Sequence, residues 1–159
     1  MSEAGVPSTG PAGPPIGIPL SLGTYTTTKD EIIEFARQWD PLSFHVDAAA
    51  AASGYFGEII ASGIHTLAIF QRLSALSHFG TWDVIAGKRV RDLKFTQPVR
   101  PGDALSGQIV VQSVTPDSRG RGHLVLDGSL RNQHGDLVLT LGMEILTRMR
   151  LGPYHSEEN

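Results

Sequence analysis

From about residue 87 to residue 145 the apolar residues recur at every second position, a period that suits strands and no helix. Leu93, Phe95 and Val99 alternate with Asp92, Lys94 and Thr96. Leu105, Ile109 and Val111 repeat the pattern, followed by Leu124, Leu126 and Leu130, and then by Leu137, Leu139, Leu141, Met143 and Ile145. Between these runs lie Pro101-Gly102-Asp103, the stretch 116–122 and Asn132-Gln-His-Gly135, all rich in residues that turn the chain. The pattern predicts an antiparallel meander of long strands.

Upstream the period is helical. Thr28 and Glu31 form a capping box, in which each side chain satisfies a free backbone donor. The helix that follows is expected to turn Ile32, Ile33, Phe35, Ala36 and Trp39 towards a core. Pro41 disfavours helical geometry at Asp40, so the helix is expected to stop there and residues 40–45 to form a loop. Asp47 suits the cap of a short turn through the alanines at 48–52. A longer helix is expected from Ser62-Gly63 to Phe79. Its apolar residues (Ile64, Leu67, Ala68, Ile69, Phe70, Leu73, Leu76) cover most of the circumference in the first half, which implies burial on several sides. Gly80 and Gly87 are expected to bound an irregular connection containing Trp82. With an early strand near residues 23–27, the plan is α+β, and one curved sheet around one helix satisfies it.

The 159 residues suffice for one domain with a core. Residues 17–150 are expected to form it, with a Pro/Gly-rich leader over 1–16 and a tail over 151–159. The leader lacks the basic start and apolar run of a signal peptide. No stretch approaches the roughly 18 apolar residues of a membrane span, so no membrane insertion is expected. A net charge of −3 gives no reason to expect nucleic acid as a partner. With no cysteine, disulfides, thiolate nucleophiles and cysteine-ligated zinc are excluded, and a cytoplasmic location is expected.

The segment Asp40-Pro-Leu-Ser-Phe-His45-Val-Asp47 holds the chemistry. An acid and an imidazole five residues apart on a loop can converge on one small molecule and hold a water between them, either passing a proton. An aspartate before proline also simply ends helices, and a loop histidine can be a satisfied polar group. Gly63 opens a helix whose first N–H groups are unpaired at the positive end of the dipole, which suits a developing oxyanion. Close packing would equally require a glycine there. His65, one turn in, can face the same pocket or be buried structurally. Lys88, Arg89, Arg91 and Lys94 can meet phosphates or line a solvated strand face. His78, His123, His134 and His155 show no metal-ligand spacing, so no metal is expected.

These residues resemble the MaoC-like (R)-specific enoyl-CoA hydratase family, whose signature is Asp-x-Asn-Pro-[Leu/Ile]-His-x-Asp followed by His-Gly. Asp40, His45 and Asp47 match at the same spacing, as does Gly63, and 90–103 is similar to the family's strand-and-turn signature. The resemblance covers roughly residues 20–148. Leu42 and Ser43 replace the usual asparagine and proline, Ser62 replaces the histidine, and Gln71 stands where some members carry a serine. A subgroup with Asp-Pro-x-x-Phe-His and Ser-Gly-x-His fits better. The resemblance implies the hot-dog fold and a cofactor-free hydratase or dehydratase of fatty acid metabolism. Its substrate would be a trans-2-enoyl or (R)-3-hydroxyacyl thioester, with coenzyme A entering only as part of it. Asp40 and His45 would be catalytic, and Gly63, Ser62 and His65 would bind the thioester.

Two alternatives stand beside this. A hot-dog thioesterase often uses an acidic residue on the central helix, yet residues 64–79 contain no Asp or Glu. A non-catalytic acyl-thioester-binding subunit would keep the fold without turnover. A long exposed sheet edge predicts a homodimer or higher homo-oligomer, with the pocket at the subunit boundary.

Overall fold

The computed structural model describes residues 13–149. Most of the leader, and the tail with His155, lie outside the described residues. The elements run β1 (Leu20–Thr26), α1 (Lys29–Trp39), α2 (Ser43–Val46), α3 (Ala48–Ala52), α4 (Gly63–Ser74), β2 (Val84–Phe95), β3 (Ala104–Pro116), β4 (Arg121–Arg131) and β5 (Leu137–Arg148). The strands make one antiparallel sheet in the order β1-β3-β4-β5-β2. The β3–β4–β5 meander is the expected one. Before the sheet begins, Ile16 bridges to Val111, and the Gly17 N–H donates to the Val111 carbonyl at 2.8 Å.

Alternation places the core. Leu105, Ile109 and Val111 on β3, and Leu124, Leu126 and Leu130 on β4, are buried on one face, where α4 packs. Phe70 of α4, fully buried, meets the sheet at Gly128. A Cβ there would stand 2.4 Å from Phe70 Cζ, so only glycine lets the helix lie this close.

Five local expectations need correction. Trp39 is 68% exposed. The first two turns of α1 bury Ile32 and Ala36, and Phe35 stacks on His65, whereas the last turn runs past that contact. Helix α4 is not covered on all sides either. Ile64, and Leu76 just beyond its end, are 54% and 72% exposed, because sheet and α1 leave a third face uncovered in a single copy.

The run to Phe79 is α-helical only to Ser74 and then widens into one π turn, Ala75–Phe79. Ser74 and Ser77 each donate to the carbonyl four residues back, and the Gly80 N–H reaches five back to Ala75. Strand β2 begins at Val84 and passes through Gly87, so the irregular connection is shorter than expected. It starts where Asp83 takes a positive φ of 51° and its carbonyl accepts the Arg148 N–H. A second positive φ, 50° at Asp92, coincides with a register shift between Arg91 and Lys94. That bulge breaks the expected alternation, so Leu93 is only partly buried and Phe95 is half-exposed.

Candidate active site

Asp40 and His45 are brought together by two helix ends. Pro41 stops α1, leaving Asp40 as its C-cap with its N–H on Ala36. The chain does not then continue as a loop. The His45 N–H bonds the Leu42 carbonyl and the Asp47 N–H bonds that of Ser43, closing the single turn α2. The expected loop is therefore half helix, and His45 sits on its rigid part. Asp47 caps α3 as expected, accepting from the N–H groups of Ala49 and Ala50.

The His45 ring is buried against Phe44. Its Nδ1 lies 2.6 Å from the carbonyl oxygen of Ile60. A carbonyl only accepts, so Nδ1 carries a proton, and in the neutral form of the ring Nε2 is the bare nitrogen. Nε2 stands 3.4 Å from Oδ2 of Asp40. That is longer than a good N–H···O bond, and in this tautomer both atoms are acceptors. Two acceptors facing one point call for a molecule with two O–H donors, and a water is the smallest that fits.

Ser62 completes the arrangement from the other side. Fully buried, it donates from Oγ to Asp40 Oδ2 at 2.6 Å and accepts the Ile64 N–H at 3.3 Å as the N-cap of α4. One hydroxyl thus ties the carboxylate to the start of the central helix. Gly63 is the first residue of that helix, and its N–H has no partner within the helix. A Cβ at Gly63 would lie 2.7 Å from the ring of Phe95, so close packing is real there and coexists with any role of the N–H.

A cleft of about 320 Å³ opens beside these groups, lined by His45, Gly63, Phe56, Ile60, Thr66 and Phe95 among others. Its apolar walls and few polar atoms suit an acyl chain with one reacting end. Among the described residues no group of three or more His, Asp or Glu is placed to hold a metal, and no helix is long and apolar enough to cross a membrane.

Residues 12–125 match the model of the MaoC like domain. The chain belongs to the MaoC-like family. It is a hydro-lyase of the hydratase/dehydratase type with the hot-dog fold. The MaoC-like chain is 37% identical over 118 residues to the uncharacterized protein YdeM of Bacillus subtilis (strain 168), covering 74% of this chain and 84% of that protein. It also resembles the structure of a MaoC-like dehydratase from Rhodospirillum rubrum, with a TM-score of 0.79 and 29% identity over 87% of this chain and 95% of that one. The unliganded R-hydratase PhaJ1 from Pseudomonas aeruginosa superposes with a TM-score of 0.69 at 25% identity, over 86% and 83% of the two chains.

Of the other residues singled out from sequence, His65 does not line the cleft of this MaoC-like protein. It is buried and stacked on Phe35, with ring centroids 4.5 Å apart and planes 10° from parallel. Its Nδ1 has no partner among the described residues, and burial lowers its pKa below 6.5 against an opposing pull from Glu31. In the basic cluster, Arg91 is held by Asp127 and Asp92 at 3.4 and 3.6 Å, while Lys88, Arg89 and Lys94 are exposed. Sequence reasoning missed the Ile60 carbonyl, Phe56 and Phe95. A backbone carbonyl leaves no trace in residue types, whereas Phe95, between Leu93 and Val99 in an alternating run, reads simply as core.

Proposed function

We propose that this hydro-lyase adds water reversibly to a trans-2-enoyl thioester, carried by coenzyme A, with Asp40 and His45 acting on one shared water. The observation that carries the reading is the pair of acceptors 3.4 Å apart, His45 Nε2 and Asp40 Oδ2, with Nδ1 committed to a carbonyl. A water donating to both has its oxygen free to bond C3 of the enoyl group. As that bond forms, the π electrons move onto C2 and the thioester oxygen, and one water proton passes to the pair. The pair then returns a proton to C2, so OH and H are both accounted for and the site ends as it began. Run backwards, the same steps dehydrate a 3-hydroxyacyl thioester.

The developing oxyanion needs a donor, and the Gly63 N–H at the positive end of α4 supplies one. Ser62 is a positioning residue in this reading, holding Asp40 rather than meeting substrate. His65 packs in a support role. The exposed Lys88, Arg89 and Lys94 are candidates for the phosphates of coenzyme A.

The reading includes a homodimer or higher homo-oligomer. Among the described residues strand β2 pairs on one side only, with β5, and Ile85, Val90 and Phe95 on it are 44%, 46% and 50% exposed. Ile64 at the start of α4 and Leu76 in the π turn after it are exposed as well, and a second copy would cover such apolar residues. A dimer in light scattering at micromolar concentration supports this, and a monomer contradicts it. The lack of cysteine suits a reducing, cytoplasmic setting.

A panel of enoyl-CoA and saturated acyl-CoA thioesters of varied length and branching tests the reaction. Loss of the enoyl absorbance without thiol release is expected. Thiol release would mean a thioesterase, and tight binding without turnover across the panel would mean a binding subunit.

A further inference from the structure

The stretch Thr-Gln-Pro-Val-Arg-Pro-Gly-Asp over residues 96–103 belongs to the signature seen in the sequence, yet the shared-water chemistry uses none of its side chains. Its most connected member is Arg100. The backbone of Arg100 is fixed by three hydrogen bonds: its N–H donates to Asp103 Oδ2 at 2.8 Å, and its carbonyl accepts from Thr27 Oγ1 at 2.9 Å and from the Asp103 N–H at 3.0 Å. Asp103 is itself buried and holds Gln133 through its other oxygen. From this anchored position Nη1 of Arg100 donates to the Phe56 carbonyl at 3.2 Å and to Glu58 Oε1 at 2.6 Å.

Phe56 and Glu58 begin the connector that leads to Ile60. Further along, the Ala61 N–H donates to the Val99 carbonyl at 2.8 Å, and the Ile60 N–H reaches the Phe44 carbonyl at 3.4 Å. The connector is therefore pinned at both ends to residues 99–100, and between the pins lies the carbonyl that accepts from His45 Nδ1. A guanidinium can bond a carbonyl and a carboxylate at once from one rigid plane, which an ammonium cannot do with the same geometry.

We propose that Arg100 is a positioning residue for the hydration reaction. Through the 56–61 connector it holds the Ile60 carbonyl on His45, and so fixes the tautomer that leaves Nε2 bare. The proposal rests on the reading of His45 as an acid–base residue. As an exposed ion pair the Arg100–Glu58 contact contributes little to stability, so its effect belongs in geometry.

The test compares Arg100→Ala, Arg100→Lys and Glu58→Gln in the full chain. The imidazole ¹⁵N signals of His45 report the tautomer, and kcat and KM are measured for crotonyl-CoA or the best enoyl-CoA of the panel. Arg100→Ala is expected to shift the His45 ring towards the Nε2–H form and to lower kcat by about 10- to 100-fold, in line with misplacement of a reacting group by about 1 Å. KM should change much less. Arg100→Lys should fall between, and it carries the test if the alanine variant does not fold. Glu58→Gln, which leaves the bond to the Phe56 carbonyl, should keep the tautomer. A folded Arg100→Ala protein with the wild-type ring signals and kcat would overturn the proposal. Because the ring signals are read on the resting protein, they decide the clamp even if the wild type hydrates no thioester, a result that would count against the proposed function alone.

Discussion

The hydroxyl of Ser62 donates to Asp40 across 22 residues of sequence, at 2.6 Å, and the same oxygen accepts the Ile64 N–H of α4. The carboxylate is thereby set relative to the helix whose first residue, Gly63, lines the cleft.

Ser62→Ala removes both bonds. Loss of the cap should cost about 0.5–2 kcal/mol of stability, seen as a lower midpoint in urea. Turnover should fall by more than the fraction unfolded explains, because the carboxylate loses the donor that orients it. If kcat per folded molecule stays at the wild-type value, Ser62 is a cap and nothing more.

Gly63→Ala should separate packing from chemistry. The new Cβ would lie 2.7 Å from Phe95 Cε2, but that ring is half-exposed and can swing away. Alanine also favours the helix by about 1 kcal/mol over glycine. We expect melting close to wild type and a clear loss of turnover, since the displaced ring and the methyl both crowd the N–H. Unchanged turnover would remove Gly63 from the oxyanion role.

His65 makes a pH-dependent contribution whose sign follows from its burial. Desolvation lowers its pKa in the folded chain below 6.5, only partly offset by Glu31. Between that lowered value and 6.5 the unfolded chain binds more protons, so stability falls as the pH drops through this window and levels off above it. His65→Phe keeps the stack on Phe35 and removes the partnerless Nδ1. Denaturation curves taken from well below pH 6.5 to above it should show a flatter acid limb for the variant. An identical limb in both proteins would place the acid sensitivity elsewhere.

The meander from residue 104 onward was legible because its strands bury one face, so period and burial agree at Leu105, Ile109, Leu124, Leu126 and Leu130. Strand β2 was legible as a strand but not in which residues it buries, because an edge strand with little buried surface has no periodicity to enforce, and the bulge at Asp92 is a backbone event. The Asp40–His45 pair was visible in its spacing and in the family resemblance. What makes it chemically specific, the tautomer set by the Ile60 carbonyl, was invisible because any residue at position 60 offers the same oxygen. The exposed stripe at Ile64 and Leu76 misled for a related reason. Apolar periodicity reports a face that becomes buried, without saying against what.

The central claim is that Asp40 and His45 hold one water as a unit, and enoyl-CoA hydration by Asp40→Asn, His45→Gln and the double variant tests it most directly. Each substitution nearly keeps volume, so melting should change little. Each single variant should lose a factor of about 10² to 10⁴ in kcat, the usual contribution of an acid–base residue. The double variant should be no worse than the poorer single one, since residues that act together are not additive. Near-normal turnover in either single variant, with the protein folded, would contradict the account.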